Sequence, residues 1–147
     1  MAAGDAPGSW SAGLRALRTE LGTLDILGPG ALLVDGSGLS PANRLSARML
    51  VRALRRGGES FRIGPELRAS LPIAHRDGTL ERRADEADGR VRAKTGLLGD
   101  QRVTALSGYA ELAGGQRVVF SILVNGHAGG SAEAMEAVDR FVAELVR

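Results

Sequence analysis

Residues 117–124, R-V-V-F-S-I-L-V, constrain the fold of this chain more than any other segment. The run is rich in β-branched and aromatic side chains, and it is too apolar for a strand with one solvated face, so it predicts a central strand of a sheet over residues 116–125. A second strand candidate covers residues 102–113, and Gly114-Gly115 between the two predicts a tight hairpin. A third candidate at 90–95 completes a set of three antiparallel strands.

Helical periodicity flanks these strands at both ends of the chain. Ser9 or Ser11 can cap a first helix, and Ser131 to Val146 predicts a last, amphipathic helix. The predicted apolar face of the first helix consists of Trp10, Leu14, Leu17, Leu21 and Leu24, and that of the last helix consists of Ala134, Val138, Phe141, Val142 and Leu145.

The region between the two helices carries weaker signals. Residues 31–34 predict a short buried strand, closed by the turn D-G-S-G at 35–38. Ser40-Pro41 predicts the start of a second helix, with Ser40 as its cap, and Gly57-Gly58 predicts its end. A surface excursion over 59–90 contains one short helix candidate at 65–70. This order of helices and antiparallel strands predicts an α+β fold.

Length and composition indicate one globular unit. The chain has 147 residues, 44% of them hydrophobic and 24% charged, which argues against disorder and fibrous repeats. Only five residues are aromatic, so the core must be built mainly from aliphatic side chains. The small, Gly- and Pro-bearing residues 1–8 are expected to be disordered.

Charge and the rare residue types exclude several function classes. The formal net charge is +2, and the basic residues alternate with acidic ones, which argues against a nucleic-acid surface. The absence of cysteine excludes a thiol nucleophile, and His75 and His127 stand alone, as loop histidines rather than metal ligands. No run is long enough for a membrane span, and the first residues lack a secretion signal, so the chain as written is expected to stay in the cytoplasm.

Lys94 is the only lysine, and it begins the tripeptide Lys94-Thr95-Gly96 at the end of a strand candidate. A lysine ammonium and a threonine hydroxyl on one strand can bind a substrate carboxylate. The glycine lets a ligand lie against the strand and pair with its backbone. The N–H of Leu97 could then point at a developing oxyanion. The alternative is an ordinary strand end with an exposed lysine.

Three further stretches extend this motif in order. Upstream stand L-V-D-G-S-G-L-S-P-A-N-R-L-S-A and D-G-T-L at 77–80, and downstream stands G-Q-R-V-V-F-S-I-L-V-N-G. From about Ser9 onward the chain resembles the C-terminal part of the class C low-molecular-mass penicillin-binding proteins, the D-alanyl-D-alanine carboxypeptidase/endopeptidase family S13.

The resemblance implies a partial penicillin-binding-protein, β-lactamase-like transpeptidase fold within one DD-peptidase domain over 1–147. It also implies a serine hydrolase that acts on peptidoglycan stem peptides, is acylated by β-lactams and needs no cofactor. Lys94 and Thr95 would contact the terminal carboxylate of the substrate, Gly96 would keep the strand open, and Leu97 would supply one oxyanion N–H. Members of the family are exported to the periplasm or cell wall.

The chain departs from the family pattern at the nucleophile. The family uses S-x-x-K and S-x-N, but Val91 stands three residues before the only lysine, and Pro41 and Leu123 stand two residues before the asparagines. No catalytic residue is therefore assigned. The loop after K-T-G is about two residues longer than usual. Asp35 and Asp77 each precede a glycine and are interpreted as turn formers, and Ser37 fits no G-x-S-x-G motif.

Three functions remain open from the sequence. The first is a partial gene model or truncated product of a DD-peptidase, without turnover of its own. The second is a non-catalytic module that recognises D-Ala-D-Ala ends or complements another chain. The third is a generic arginine-rich binding protein. Carboxypeptidase versus endopeptidase preference and oligomeric state are left open.

Overall fold

A three-stranded antiparallel sheet with helices on its faces forms the centre of the protein. The computed structural model describes residues 8–147, so the predicted disorder of residues 1–8 falls, apart from Gly8, outside the described residues. The strands lie side by side in the order β1 (Val91–Leu98), β2 (Val103–Glu111) and β3 (Arg117–Asn125). The helices are α1 (Trp10–Thr23), α2 (Ala47–Glu59), α3 (Gly64–Ala69) and α4 (Ser131–Leu145). The predicted α+β architecture is confirmed.

The register of the sheet is regular from end to end. Lys94 lies opposite Ser107, which in turn lies opposite Ser121. Between β2 and β3 the chain turns at residues 112–116, where Gly115 adopts a φ of 78°. Glycine reaches this left-handed region without steric cost, so the predicted Gly114-Gly115 hairpin is confirmed with Gly115 as the residue that requires it.

One face of the sheet carries the core. α4 packs across β2 on this face, and the segment 74–87 closes the side next to β1. The buried side chains are almost all aliphatic, as the scarcity of aromatics requires: Ala74, Leu80, Ala84, Ala87, Val91, Ala93, Leu106, Ala110, Phe120, Val138, Val142 and Val146. Phe141, predicted on the buried stripe of α4, is 59% exposed.

The opposite face of the sheet is covered in part by α2, which packs on β3 and β2. The Tyr109 hydroxyl donates a 2.6 Å hydrogen bond to the Leu54 carbonyl of this helix. A Cβ placed on Gly58 would come within 2.6 Å of the Tyr109 oxygen. Gly58 therefore lets the helix lie close to the ring, and α2 continues one residue past the predicted stop at Gly57-Gly58, to Glu59.

The segment 72–90 runs along the outer side of β1. The Ala74 N–H donates to the Val91 carbonyl at 2.9 Å, and the Ala93 N–H donates to the Pro72 carbonyl at 3.0 Å. The guanidinium of Arg83 forms two hydrogen bonds, at 3.0 and 2.8 Å, to the carboxylate of Asp139 in α4. These contacts hold the excursion against the sheet edge, and its backbone pairing with β1 ends at Ala93.

Two local predictions in the middle of the chain are wrong. Residues 31–34 form only an isolated bridge between Leu32 and Arg44, with Leu32 exposed. Ser40-Pro41 lies in a turn, and α2 begins at Ala47 with Ser46 as its N-cap, whose hydroxyl accepts from the Met49 N–H. The short helix predicted at 65–70 is present as α3.

The strand predicted to be central and the predicted apolar face of the first helix both have open sides. β3 lies at an edge of the sheet rather than at its centre. The first helix is capped by Ser9 as predicted, yet none of its residues is buried, and Trp10 is 80% exposed. No helix within residues 8–147 is long and apolar enough to cross a membrane.

Candidate functional site

All four residues predicted to bind substrate lie on β1: Lys94, Thr95, Gly96 and Leu97. Val91 and Ala93 point into the core. Because successive side chains of a strand point to opposite faces, Thr95 and Leu97 lie on the core face and Lys94 and Gly96 on the face that carries α2. The side chains of Lys94 and Thr95 therefore lie on opposite faces of the sheet. They can contact the same ligand only if that ligand binds at the strand edge between them.

The backbone of β1 is open at this edge. The Glu111 N–H donates to the Arg90 carbonyl, whereas Val91 and Ala93 bond the segment 72–74 on the other side. In an antiparallel ladder the side to which the backbone groups point alternates residue by residue. The N–H and C=O groups of Thr95 and Leu97 therefore point away from β2, beyond the point where the pairing with 72–74 ends.

Polar side chains converge on the same edge. The exposed Lys94 Nζ donates to the Thr95 carbonyl at 2.7 Å, and the Thr95 hydroxyl donates to the Thr79 hydroxyl at 3.1 Å. No carboxylate forms a salt bridge with Lys94 in the part of the chain that the structure describes. The edge thus presents one unneutralised cation, one hydroxyl and two outward N–H groups, a set that suits a carboxylate.

The longer loop after K-T-G does not disturb the strand. Residues 99–102 form the turn, Leu97 keeps its regular place opposite Thr104, and its side chain is 51% exposed. A Cβ on Gly96 would lie 3.2 Å from the Ala105 Cβ. A side chain at position 96 would therefore crowd the face of the sheet next to Lys94. Because Leu97 keeps its regular pairing with Thr104, its N–H still points outward from the sheet.

Thr79 is the site residue that the sequence reasoning missed. The D-G-T-L stretch belongs to the family resemblance, and the glycine after Asp77 predicts only a turn there. Asp77 does form a turn, since its carboxylate accepts the Ile73 N–H at 2.6 Å and Gly78 has a φ of 54°. Thr79 and Thr95 are sixteen residues apart, so no periodicity could have paired them.

No nucleophilic constellation accompanies the edge within residues 8–147. The Ser107 and Ser121 hydroxyls are 2.8 Å apart, next to Lys94 in the register, but neither bonds a base. His75 lies in a turn, and the Nδ1 of His127 bonds the Gly129 carbonyl. The described residues also contain no group of three His, Cys, Asp or Glu side chains that could hold a metal ion.

The D-G-S-G-L-S loop is organised around Asp35. Its carboxylate accepts the N–H groups of Gly38 and Ser40, the Ser37 hydroxyl and the Asn43 amide. The Asn43 amide is the main cause that lowers the pKa of Asp35 below its usual value, against a smaller opposing effect of desolvation. The Ser40 hydroxyl accepts only the Ala42 N–H of the same turn, so the predicted helix cap is wrong.

A groove of about 780 Å³ lies elsewhere in the described residues. It is lined by Arg68, Arg92, Tyr109 and neighbouring residues at the start of β1, and none of Lys94 to Leu97 contributes to it. The candidate site is therefore a strand edge rather than an enclosed pocket.

Comparisons with known proteins match nearly the whole chain. A family model described as the D-Ala-D-Ala carboxypeptidase 3 (S13) family matches residues 1–145. A D-alanyl-D-alanine carboxypeptidase of Actinomadura sp. (strain R39) is 40% identical over 129 residues, and a carboxypeptidase of Mycobacterium tuberculosis is 36% identical over 140 residues. The matches cover 83% and 90% of this chain, but only 23% and 30% of those proteins.

The fold comparison gives the same result. The crystal structure of penicillin binding protein 4 from Haemophilus influenzae superimposes with a TM-score of 0.79 at 28% identity. That match covers 96% of this chain and 33% of the solved one. A second structure of that protein, complexed with a β-lactam, superimposes with a TM-score of 0.74. The chain thus spans about a quarter to a third of its relatives.

Proposed function

Because the chain belongs to the D-Ala-D-Ala carboxypeptidase 3 (S13) family, we propose that it is the part of a serine-type D-alanyl-D-alanine carboxypeptidase/endopeptidase that binds the terminal carboxylate of peptidoglycan stem peptides. The observation that carries this proposal is the open edge at Thr95 and Leu97, beside the unneutralised ammonium of Lys94. The bound peptide would lie outside the cytoplasmic membrane, so the whole enzyme would be exported.

The substrate would bind as an added strand along β1. Its backbone would pair with the outward groups of Thr95 and Leu97, in place of water. Its terminal carboxylate would accept from the Lys94 ammonium and the Thr95 hydroxyl, which are charge-assisted hydrogen bonds. The Leu97 N–H would donate to the oxygen of the scissile carbonyl as negative charge develops there.

In this proposal, residues outside this chain carry out the covalent step. The sequence has no S-x-x-K, so the serine that attacks the bond between the two D-alanines, and that β-lactams acylate, would come from the remainder of the enzyme. The C–N bond between the two D-alanines would break, the terminal D-alanine would leave as the amine with the proton from the serine, and water would then hydrolyse the acyl-enzyme. We expect no turnover by the chain alone.

The binding step can be tested on the chain itself. We expect N-acetyl-D-Ala-D-Ala to shift the amide resonances of Thr95, Gly96 and Leu97 in an NMR titration, because the peptide pairs with this edge. The matched ligand N-acetyl-D-Ala-D-Ala-amide, which lacks the carboxylate, should bind more weakly, and Lys94→Ala should remove this difference. Equal binding of the two ligands would contradict the assigned carboxylate contact.

Acylation provides a separate test. A fluorescent penicillin should not label the purified chain covalently, because no nucleophile motif is present. A labelled band of the mass of the chain would show that a serine within it acts as the nucleophile. In a full-length enzyme reconstructed around this segment, Lys94→Ala should abolish carboxypeptidase activity, and normal activity there would remove Lys94 from the site.

A further inference from the structure

We propose that Thr79 is a positioning residue for the substrate carboxylate, and that it acts through the hydroxyl of Thr95. This inference rests on the proposed function, because it refines the carboxylate contact made by Thr95. The observation behind it is the 3.1 Å hydrogen bond between the two threonine hydroxyls, which joins the D-G-T-L turn to the K-T-G strand.

Thr79 is held firmly although its own side chain is exposed. The 3-10 turn Gly78–Leu80 ends in Leu80, which is fully buried in the core. The His75 N–H donates to the Leu80 carbonyl at 3.0 Å, and the Asp77 carboxylate bonds the Ile73 N–H. The turn is therefore fixed on both sides of Thr79, so its hydroxyl occupies a defined place at the edge of β1.

The location of the turn explains why Thr95 is the residue it reaches. Pairing with the segment 72–74 ends at Ala93, and Thr95 is the next residue whose backbone points outward. Its side chain lies on the core face, where the Gly78–Leu80 turn packs on β1. Thr79 therefore stands at the boundary between the closed and the open part of the strand edge.

The direction of the hydrogen bond suggests how the pair responds to a ligand. Each hydroxyl has one proton to donate and two lone pairs. Without ligand, Thr95 donates its proton to Thr79. When a carboxylate arrives, the Thr95 proton turns toward it, and Thr79 donates its own proton to the Thr95 oxygen. The reversed chain keeps both hydroxyls satisfied, and the second donor strengthens the first through polarisation.

The isosteric variant Thr79→Val tests this role, because it removes the hydroxyl and keeps the shape. Thr79→Ser restores the hydroxyl, and Thr19→Val, on the exposed surface of α1, is the matched control for the same change elsewhere. Two quantities are measured: the χ1 angle of Thr95, from three-bond NMR couplings without ligand, and the dissociation constant for N-acetyl-D-Ala-D-Ala.

We expect Thr95 to occupy one χ1 rotamer in the native chain and in Thr79→Ser, and to average over rotamers in Thr79→Val. The dissociation constant should rise about threefold to tenfold in Thr79→Val, the range of one neutral hydrogen bond. Thr79→Ser and Thr19→Val should both bind the dipeptide as the native chain does. Unchanged couplings and affinity in Thr79→Val would overturn the proposal.

The two readouts separate this inference from the proposed function. If the native chain does not bind the dipeptide, the carboxylate site itself is wrong, and the couplings alone decide whether Thr79 orients Thr95. If Thr79→Val does not fold, Thr79→Ala is measured in its place, with the same expected loss of the single rotamer and recovery in Thr79→Ser.

Discussion

Asp35 shows how one carboxylate can order a loop that has no regular secondary structure. It gathers four donors from residues 37–43, and the Asn43 Oδ1 accepts the Val34 N–H at 2.8 Å in return. Hydrogen bonds to the ionised form favour it, which is why the pKa of Asp35 lies below the usual value of 3.8. The loop therefore depends on the charge state of a single side chain.

A titration of Asn43→Ala tests this dependence. The main cause of the depressed pKa is removed, so the pKa of Asp35 should rise toward 3.8. Because the folded pKa lies below the unfolded value, ionised Asp35 stabilises the loop above pH 3.8 and loses that effect as the pH falls through the folded pKa. In Asn43→Ala, the stabilising effect of ionised Asp35 should be lost at a higher pH than in the native chain.

The measurement is the NMR shift of the Asp35 carboxyl carbon against pH. Asn125→Ala, which changes the other asparagine of the chain, should leave the titration of Asp35 unchanged. Overlapping curves for Asn43→Ala and the native chain would show that the amide does not hold the carboxylate.

At the level of elements, the start of α2 gives a direct test of a sequence signal that failed. Ser46 accepts the Met49 N–H as the N-cap, whereas Ser40 bonds within its own turn. Ser46→Ala should lower the free energy of unfolding by about 1 kcal/mol, and Ser40→Ala by less. Urea denaturation followed by circular dichroism compares the two. A larger loss in Ser40→Ala would restore the helix start that the sequence favoured.

The Arg83–Asp139 pair links the excursion to α4, and it is the best-shielded ion pair in the described part of the chain. Its side chains are only 16% and 17% exposed, against 70% and 71% for the Arg140–Glu136 pair on the same helix. Arg83→Ala should destabilise the fold by about 2 kcal/mol, since it leaves a poorly solvated carboxylate unpaired. Arg140→Ala, the exposed control, should cost at most about 0.5 kcal/mol. Similar losses in urea denaturation would show that the shielding has no effect.

Sequence periodicity predicted the elements whose conformation depends on neighbouring residues. It failed for segments whose conformation depends on contacts between residues far apart in the sequence. The cap at Ser9, the hairpin at Gly115 and the buried stripe of α4 depend on neighbouring residues, and they are present except for Phe141 of the stripe, which is exposed. Ser40-Pro41 resembles a helix start, but the Asp35–Asn43 hydrogen bond draws this segment into a loop instead. At the candidate site, the K-T-G motif predicts the strand that carries the binding residues. The hydrogen bond between Thr95 and Thr79 could not be predicted from the sequence, because it depends on how residues 72–90 fold back onto β1.

The three-stranded sheet of this protein ends in an apolar edge. The Leu112 N–H donates to the Gln116 carbonyl, so the even-numbered residues of β3 bond β2 and the odd-numbered ones point outward. Residues 118–124 contain no charge, proline or glycine. Edge strands usually carry such residues to prevent pairing with other chains. Because β3 is the outer strand of the three-stranded sheet, this uncharged edge is open to pairing with another chain.

Proline substitutions at two adjacent positions test this edge. Val119→Pro removes an outward N–H that bonds nothing in the sheet, so we expect the variant to fold and to self-associate less than the native chain. Val118→Pro removes an N–H that bonds β2 and should unfold the hairpin. Sedimentation velocity at several protein concentrations measures association, and circular dichroism measures folding. If Val119→Pro unfolds as Val118→Pro does, the assigned alternation is wrong. If it associates as the native chain does, contacts between molecules form elsewhere, and the exposed face of α1 around Trp10 becomes the next surface to substitute.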